Sequence, residues 1–261
     1  MLQRWKAAGL LFPTVMTLAV LPLLVGLGTW QWHRKEWKED LIAKIETRRT
    51  AEPVSYTAAL AQYVQKGEAD YVRVRLTGTF DHAEERHLYA PRSDSQGWHV
   101  YTLFKPEGGQ PPVFVNRGWV PDALKDPGKR AEGQVSGITT VTGLVRADQV
   151  NGIFTPPADA KSNRYYSRDT WAMRWGASGP PPPDQLSIMR LAAYAPFSID
   201  AEAEPANPGG WPKGGTTEIQ IPNSHLQYVV TWYGLAVTLL GVFIVFARQR
   251  LAALDKYTLQ P

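Results

Sequence analysis

The sequence predicts an α+β membrane protein in which two transmembrane helices, N- and C-terminal, flank a mainly antiparallel β domain with a few short helices. Two observations lead to this fold class. The stretches from Ala7 to Trp32 and from Leu226 to Ala247 contain no charged residue and no histidine, and both exceed the roughly 20 apolar residues that cross a ~30 Å hydrocarbon core. Residues 33–224 are more polar and carry short segments in which apolar and polar side chains alternate, as in half-buried strands.

The first span, residues 7–32, is predicted to be a transmembrane helix rather than a cleaved signal peptide. Arg4 and Lys6 ahead of it are typical of the positive start of a signal peptide. The apolar stretch is longer than the roughly 7 to 15 residues of such a peptide, however, and it ends without a small-x-small cleavage site. Pro13 and Pro22 interrupt the span, which membrane helices tolerate where neighbouring groups satisfy the freed backbone.

Charges beside the spans predict the orientation of the chain. Short basic flanks stay on the cytoplasmic side, so residues 1–6 and 248–261 are expected in the cytoplasm and the domain of residues 33–224 in the periplasm. No Arg-rich and Ser-rich transit segment precedes the first span, which favours a bacterial inner membrane over a mitochondrial precursor. The basic residues on which the orientation depends are Arg4, Lys6, Arg248, Arg250 and Lys256.

Between the spans, the pattern predicts a helical stalk followed by short strands. The first helix is expected to continue over residues 33–50, because residues up to Ile42 recur at spacings of three and four. A short helix is expected at Tyr56 to Gln65, with Ser55 as its N-cap. The predicted strands are Tyr71 to Phe80, His87 to Ala90, Trp98 to Phe104, Val113 to Val120, Ile138 to Val145, Tyr194 to Ile199 and Thr216 to Ile221.

Six or seven short strands with few helices indicate one domain built on an antiparallel sheet. Such a sheet either curls into a barrel or folds as a sandwich, and the pattern does not separate the two. The stretch from Gly176 to Asp184, with its four consecutive prolines, and the stretch from Ala201 to Gly215 are expected to lack regular structure. The second transmembrane helix is expected over residues 225–247.

Composition excludes several classes of function. The chain has no cysteine, so it has no disulfide, no thiolate metal site and no cysteine nucleophile. It contains no Walker loop, no dinucleotide fingerprint, no H-E-x-x-H and no G-x-S-x-G motif, which leaves an exported hydrolase without support. The net charge of +4 is not gathered in a basic run with interleaved aromatic residues, so no nucleic-acid partner is expected.

One cluster near the end of the first predicted strand has the residue types of a divalent-metal site. The alternative is a solvated turn, which polar residues commonly form at the end of a strand and which we favour here. The residues of this cluster are Asp81, His82, Glu84, Glu85 and His87.

His225 stands one residue before the uncharged second span and is the main candidate for a functional residue. Its helical spacing places it on one face with Tyr228 and Trp232, so that the three would line a stripe at the outer membrane boundary. A titratable residue at membrane depth indicates a functional site. The spacing alone equally allows an interfacial residue or a cap, with Asn223 as the N-cap of the helix.

Cationic and aromatic residues are expected at the same level as His225. Arg117, beside Trp119 at the end of a strand, could carry its guanidinium there. An aromatic-lined pocket with a basic rim suits a haem, with the imidazole on the iron and the cations on the propionates. A rim that faces phospholipid has the same composition and is the alternative. The first helix contributes Trp30, Gln31, Arg34 and Lys38 at this level.

Four linked motifs, in order over nearly the whole chain, resemble those of a known family. They are Leu27 to Lys38 followed by Leu41-Ile42, then Glu52-Pro53-Val54, then Val115 to Pro121, and finally Asn223 to Tyr228 with Thr231 to Tyr233. Together with the two-helix topology, they are similar to the Surf1 (Shy1) family of cytochrome c oxidase assembly factors.

The resemblance implies a non-enzymatic, chaperone-like role in the maturation of haem-copper oxidase. Bacterial members are proposed to bind haem a and to help place it in cytochrome c oxidase subunit I, so that subunit, a haem a synthase and the lipid bilayer are the expected partners. His225 matches the family's suspected haem ligand, and Arg34, Lys38, Arg117 and Trp119 match motif positions. The alternative is a membrane-anchored scaffold that stabilises an oxidase intermediate without binding haem.

Overall fold

The protein is described by a computed structural model over residues 2–149, 151–176, 194–216 and 223–258. The chain forms two compact units. The helical unit comprises Met1–Lys44 and Gln220–Pro261, and the β unit comprises Ile45–Ile219. The prolines that follow Gly176 and the predicted strand after Thr216 lie outside the described residues.

Two long helices make up most of the helical unit. Helix α2 spans Leu11–Thr50 and the last described helix, α5, spans His225–Thr258. Both are long and apolar enough to cross a membrane, and only 11% of the most apolar stretch of each is buried inside the structure, unlike the core helix of a soluble protein. Helix α2 runs through the predicted stalk without a break and ends at Thr50, as the spacing predicts.

The start of the first span differs from the prediction. A separate short helix, α1, spans Leu2–Ala7, and α2 begins only at Leu11. Gly9 lies between them with a φ of +69°, a left-handed conformation that glycine adopts without steric cost. The predicted continuous helix from Ala7 is therefore wrong at its first turn.

Helices α2 and α5 pack side by side in opposite directions. Near one end the Thr29 Oγ1 and Tyr233 hydroxyl oxygens are 3.0 Å apart, and Gly28 lies against the Tyr233 ring. Near the other end, Arg4 donates to both carboxylate oxygens of Asp255, at 2.5 and 2.6 Å. The absence of a side chain at Gly28 permits this close approach, as small residues commonly do between membrane helices.

The β unit contains six described strands. They are β1 Val54–Ser55, β2 Arg73–Tyr89, β3 Gly97–Pro106, β4 Val113–Pro121, β5 Thr139–Ala147 and β6 Phe197–Ala201. The order β2-β3-β4-β6-β5 closes through a second pairing of β2 with β5, and β1 pairs in parallel with β2. All neighbours in this ring are antiparallel except β4 and β6. The sheet is therefore a five-stranded barrel, which resolves the choice between barrel and sandwich.

Strand β2 closes the barrel because its two halves have different partners. Residues 73–78 pair with β5, and residues 78–89 pair with β3. The strands change over at Gly78, where a Cβ atom would lie 2.2 Å from the Lys105 carbonyl oxygen. Only glycine leaves room for this crossing of two backbones.

Two predicted strands are in fact the two ends of β2. The register shifts between Asp81 and Glu85, so the expected solvated turn is a β-bulge inside one strand. The bulge accommodates the polar residues without ending the pairing with β3.

The core of the barrel is sealed at one end by helix α3, Tyr56–Lys66. Ser55 caps the helix as predicted, since its Oγ accepts a hydrogen bond from the Ala58 N–H at 3.2 Å. Tyr56 and Leu60 pack with fully buried barrel residues such as Phe104. Each large side chain buried in this way stabilises the fold by about 1.5–3 kcal/mol. A further short helix, α4, spans Thr170–Trp175 and covers the outside of the sheet.

The β2 bulge carries a buried ionic network. Arg130 donates to both carboxylate oxygens of Glu85, and His87 Nε2 donates to the same carboxylate at 2.8 Å. Burial alone would raise the pKa of Glu85, but the hydrogen bonds from His87 and Arg130 outweigh it and lower the pKa to about 2. Glu85 is therefore ionised inside the protein at neutral pH.

Other residues of the acidic and histidine cluster also have partners within the protein. Asp81 pairs with Lys105 at 2.8 Å, Glu84 pairs with Arg86, and His82 Nε2 bonds the Val135 carbonyl. Over the ranges that the structure describes, no group of three or more histidine and carboxylate side chains is arranged to hold a metal ion.

We expect Glu85→Gln to destabilise the β unit by about 3–5 kcal/mol, because it leaves the buried Arg130 charge unpaired. The pKa of Glu85 is lower in the folded chain than its ordinary value of 4.5, so its stabilisation is complete above that pH and is lost as the pH falls towards 2. Urea unfolding of the full chain in detergent, followed by near-UV circular dichroism at several pH values, measures both effects.

The matched control is Glu107→Gln, which removes the same charge from an exposed position. Its unfolding curve should coincide with that of the wild type. Equal stability of the two variants would contradict the role of the Glu85 network.

Candidate functional site

His225 is the first residue of α5 and meets Gln31 of α2. Its Nδ1 lies 2.7 Å from Gln31 Oε1, so the imidazole N–H donates to the amide oxygen. In the neutral ring this leaves the lone pair on Nε2, and no described residue forms a hydrogen bond with that atom. Asn223 does not act as the predicted N-cap, because its Oδ1 is buried without a partner in the described part of the chain.

The stripe of α5 that faces α2 differs slightly from the predicted one. His225 and Trp232 are half-buried and Val229 and Ala236 are buried, a spacing of four, three and four residues. Tyr228 lies beside this stripe with 51% of its surface exposed. Of the three predicted residues, His225 and Trp232 therefore share the inner stripe, and Tyr228 presents its ring outwards.

Helix α2 brings the predicted Lys38, and also Lys35, towards its inner side. Lys35 and Lys38 are half-buried on the side of Gln31, about 6 and 10 Å further along the helix axis. Lys35 Nζ pairs with Glu39 at 2.7 Å. Trp30 is 58% exposed, and Arg34 is exposed with its guanidinium 4.0 Å from the Trp37 ring centre.

Two features of this site were missed by reasoning from sequence. The sequence predicts Gln31 at the level of His225 but predicts no role for it, and it does not predict Lys35 as a site residue. The helical period would have found Lys35, since it lies four residues after Gln31. The period could not reveal the bond between residues 31 and 225, because it joins opposite ends of the chain.

Arg117 lies in the β unit and is fully buried there. Its Nη2 donates to the Gly133 carbonyl and to Asn207 Oδ1, the latter at 3.0 Å, and its guanidinium lies 4.8 Å from the Phe80 ring. Burial lowers the pKa of Arg117 to about 10, which still leaves it protonated at neutral pH. The predicted exposed guanidinium is thus enclosed by protein, where it offers no surface to an outside ligand.

Arg117 belongs to a set of residues that fasten segment 201–216 to the barrel. Asn207 Nδ2 donates back to the Arg117 carbonyl at 3.2 Å, and the backbones of Trp119 and Lys213 exchange two hydrogen bonds of 2.9 Å. Gly118 has a φ of +126°, and a Cβ there would lie 1.9 Å from the Lys213 carbonyl oxygen. The Asn116-Arg117-Gly118-Trp119 motif therefore has a structural role, because it holds segment 201–216 against the barrel.

Trp119 is also buried and packs within the β unit. Its ring covers Gly97, and its Nε1 donates to the Ala90 carbonyl at 2.8 Å. The guanidinium of Arg92 stacks on the outer side of the ring, 4.1 Å from its centre. Arg117 and Trp119 are therefore both held by other groups of the β unit, and their roles in cofactor binding stay predictions.

The His225 arrangement has the chemistry of a metal-ligand histidine. Ligating histidines commonly donate their second ring N–H to an oxygen, which fixes the tautomer and orients the ring. Gln31 supplies such an oxygen, and the remaining Nε2 is the nitrogen that most often binds a transition metal. On the same two helices, Lys38 is half-buried and the rings of Trp30 and Tyr228 are exposed.

Comparison with known proteins finds a family that matches most of the chain. The model of the SURF1 family matches residues 18–237, a range that includes parts of both long helices and the whole β unit. The match includes the residues of the His225 arrangement, Gln31, Lys38, Tyr228 and Trp232.

Individual relatives are similar over more than two thirds of their own lengths. A SURF1-like protein of Monosiga brevicollis is 33% identical over 256 residues, covering 94% of this chain and 90% of its own. Surfeit locus protein 1 of Homo sapiens is 33% identical over 237 residues, covering 84% and 72%. A SURF1-like protein of Drosophila melanogaster is 31% identical over 228 residues, covering 81% and 69%.

We expect Gly118→Ala to destabilise the β unit by about 3 kcal/mol or more, because the new methyl group would overlap the Lys213 backbone. The control is Gly108→Ala, where φ is +74° but no atom lies within 4 Å of the added Cβ. The free energy of unfolding of that variant should fall by only about 1–2 kcal/mol, the cost of holding a residue with a Cβ atom at positive φ. Urea unfolding of both full-length variants measures the difference, and equal losses would contradict the fastening role of the motif.

Proposed function

The chain belongs to the SURF1 family, and on this basis we propose that it is an assembly factor for haem-copper cytochrome c oxidase. In this proposal His225 binds the iron of haem a at the outer membrane boundary, and the protein aids insertion of the haem into subunit I. Haem a is cargo that the protein receives and passes on. The role in oxidase assembly is supported by the resemblance of the sequence motifs to those of oxidase assembly factors.

The bond between His225 and Gln31 is the observation that carries the haem proposal. It orients the imidazole through Nδ1 and leaves Nε2 as the free lone pair. A neutral imidazole held in this way is a common axial ligand of haem iron. A histidine that served only as an interfacial residue would have no need of a fixed tautomer.

Other residues of the helical unit suit the rest of a haem. Lys38 and Lys35 carry positive charges that would favour the propionate carboxylates. Trp30 and Tyr228 present exposed aromatic rings to the apolar macrocycle, and Trp232 is half-buried beside them. Arg34 is exposed one helical turn before Lys38 and is a further candidate for binding the propionates. Arg117 and Trp119 are left out of the proposed haem contacts because both are buried in the β unit.

We further propose that the two long helices anchor the protein in the inner membrane of a bacterium, with both ends on the cytoplasmic side and the β unit in the periplasm. The basic residues Arg4, Lys6, Arg248 and Arg250 support this orientation. The relatives compared above are eukaryotic. Neither the family name nor the names of the relatives denotes a catalytic activity, which supports a non-enzymatic role.

One observation favours the alternative of a scaffold that holds an oxidase intermediate without haem. Ile153 and Phe154 occupy the tip of a turn and are 93% and 91% exposed. Hydrogen bonds between Gly152 and Thr155 close the base of the turn, at 3.0 Å each. Two large apolar side chains held outwards in this way are suited to contact with another protein, such as subunit I.

We expect the full chain, purified in detergent from cells that make haem a, to show a haem absorbance that His225→Ala abolishes. The physical reason is the loss of the axial nitrogen. His33→Ala is the matched control, because His33 lies on the neighbouring helix with an exposed side chain and should leave the spectrum unchanged. The result that would favour the scaffold over this proposal is a wild-type protein that carries no haem. That protein would still co-purify with subunit I from haem-deficient cells.

We expect Gln31→Ala to weaken haem binding by about 10- to 100-fold, because the imidazole loses the group that orients it. Gln31→Glu keeps an oxygen acceptor and should retain most of the affinity. Titration of haem into the two apo variants, followed by absorbance, measures the difference. Identical affinities of Gln31→Ala and wild type would show that the Gln31 bond does not prepare His225 for iron.

A further inference from the structure

A polar cleft of about 790 Å³ lies in the β unit, to which all of its lining residues belong. Its volume falls within the range of about 300–1,000 Å³ that small-molecule sites occupy. Strands β3, β4, β5 and β6 contribute to its lining, together with the loop that follows β2. Closure of the barrel therefore brings the polar ends of several strands to one place.

We propose that this cleft binds the phosphate group of a small organic phosphate, either free in solution or as the headgroup of a lipid. The inference concerns the β unit alone and does not rest on the proposed haem function. The principal residues of the proposed phosphate site are Arg92 and Arg168, with His99, Tyr101 and Thr216 as further polar groups.

A third arginine in the lining, Arg146, is already neutralised. Its Nη1 lies 3.1 Å from the Asp200 carboxylate, and its Nε lies 3.5 Å from that of Asp70. Asp200 also accepts a hydrogen bond from Asn116 Nδ2 at 3.0 Å. These residues form a structural network across β4, β5 and β6, so Arg146 contributes little net charge to the cleft.

Arg92 and Arg168 carry the available positive charge. Within the described ranges, neither forms an ion pair with a carboxylate. Arg92 is oriented by stacking on Trp119, at 4.1 Å, which leaves its N–H groups at the edges of the plane. Arg168 is held by its Nε, which donates to the Ala147 carbonyl at 2.8 Å, and by a side-chain hydrogen bond to the Tyr101 phenol. Its other terminal N–H groups are donors for a ligand.

The neighbouring polar groups are neutral donors and acceptors. Burial lowers the pKa of His99, so its ring is uncharged at neutral pH, and its Nδ1 lies 3.5 Å from Thr216 Oγ1. Burial also raises the pKa of Tyr101, so its phenol keeps its proton. These groups add hydrogen-bonding capacity to the cleft without adding negative charge.

Charge and geometry together select a phosphate. Two guanidinium groups without carboxylate partners match the charge of a phosphate monoester, and their planar forks bind its oxygens in pairs. The lining contains two carboxylates: Asp200 is paired with Arg146, and Asp94, which opposes the charge of the other two arginines, accepts a hydrogen bond from Ser95 Oγ at 2.9 Å. The site is therefore expected to be of modest affinity and to weaken as salt concentration rises.

The test is calorimetric titration of the full chain in a non-ionic detergent and a phosphate-free buffer. The probes are glycerol 3-phosphate for a free ligand and dihexanoyl phosphatidic acid for a lipid headgroup, with succinate as a carboxylate of similar size. We expect saturable binding of at least one phosphate probe, and the probe that binds distinguishes the free source from the lipid source.

The Arg92→Gln, Arg168→Gln double variant should bind at least tenfold more weakly. Arg75→Gln, Lys129→Gln is the matched control, since it removes the same charge from two exposed residues outside the lining, and its affinity should stay within twofold of the wild type. Asp94→Asn should bind several-fold more tightly, an effect that a purely structural role of the arginines would not produce.

If the double variant does not fold, the single variant Arg92→Gln still tests the proposal, because Arg92 is exposed and stacks on the Trp119 ring from the outside. It should bind about fivefold more weakly with an unchanged unfolding midpoint. Absence of saturable binding by both phosphate probes, equal weakening in the control, or binding of succinate as tight as that of phosphate would overturn the proposal.

Discussion

The pairing of β2 with both β3 and β5 is the constraint on which the β unit depends. It closes five strands into a ring, in which each strand pairs with two neighbours. The change of partner occurs at Gly78, where a side chain of any other residue would meet the Lys105 backbone. Closure places Phe104 and Phe197 in a sealed core under α3 and gathers the polar strand ends that line the cleft.

Buried charges in this protein mainly hold distant segments together. Glu85 joins Arg130 and His87 across the β2 bulge, and Arg117 joins β4 to the loops around Gly133 and Asn207. Such groups are costly to remove from water and are tolerated only with hydrogen-bonding partners. A motif with charged and aromatic residues, Asn116 to Trp119, therefore serves the architecture of the β unit, although its composition is also typical of a ligand site.

The helical unit has a different organisation, in which contacts between the two long helices take the place of a large core. Small and polar side chains such as Gly28, Thr29 and Tyr233 bring α2 and α5 together. The same pairing brings Gln31 to His225, so one helix orients the imidazole that the other supplies. The packing of α2 against α5 therefore also orients His225, the candidate metal ligand.

Local pattern in the sequence determined the elements whose causes are local. Charge-free length predicted α2 and α5, Ser55 predicted the start of α3, and alternation predicted β3, β4 and β5 closely, because each depends on residues only a few positions apart. Tertiary structure alone decided the closure of the barrel, the continuity of β2 through its bulge, the burial of Arg117 and the bond of His225 to Gln31. Each of these depends on partners far away in the chain, such as Arg130 for Glu85 and residue 31 for residue 225, and no local period records which distant groups will meet.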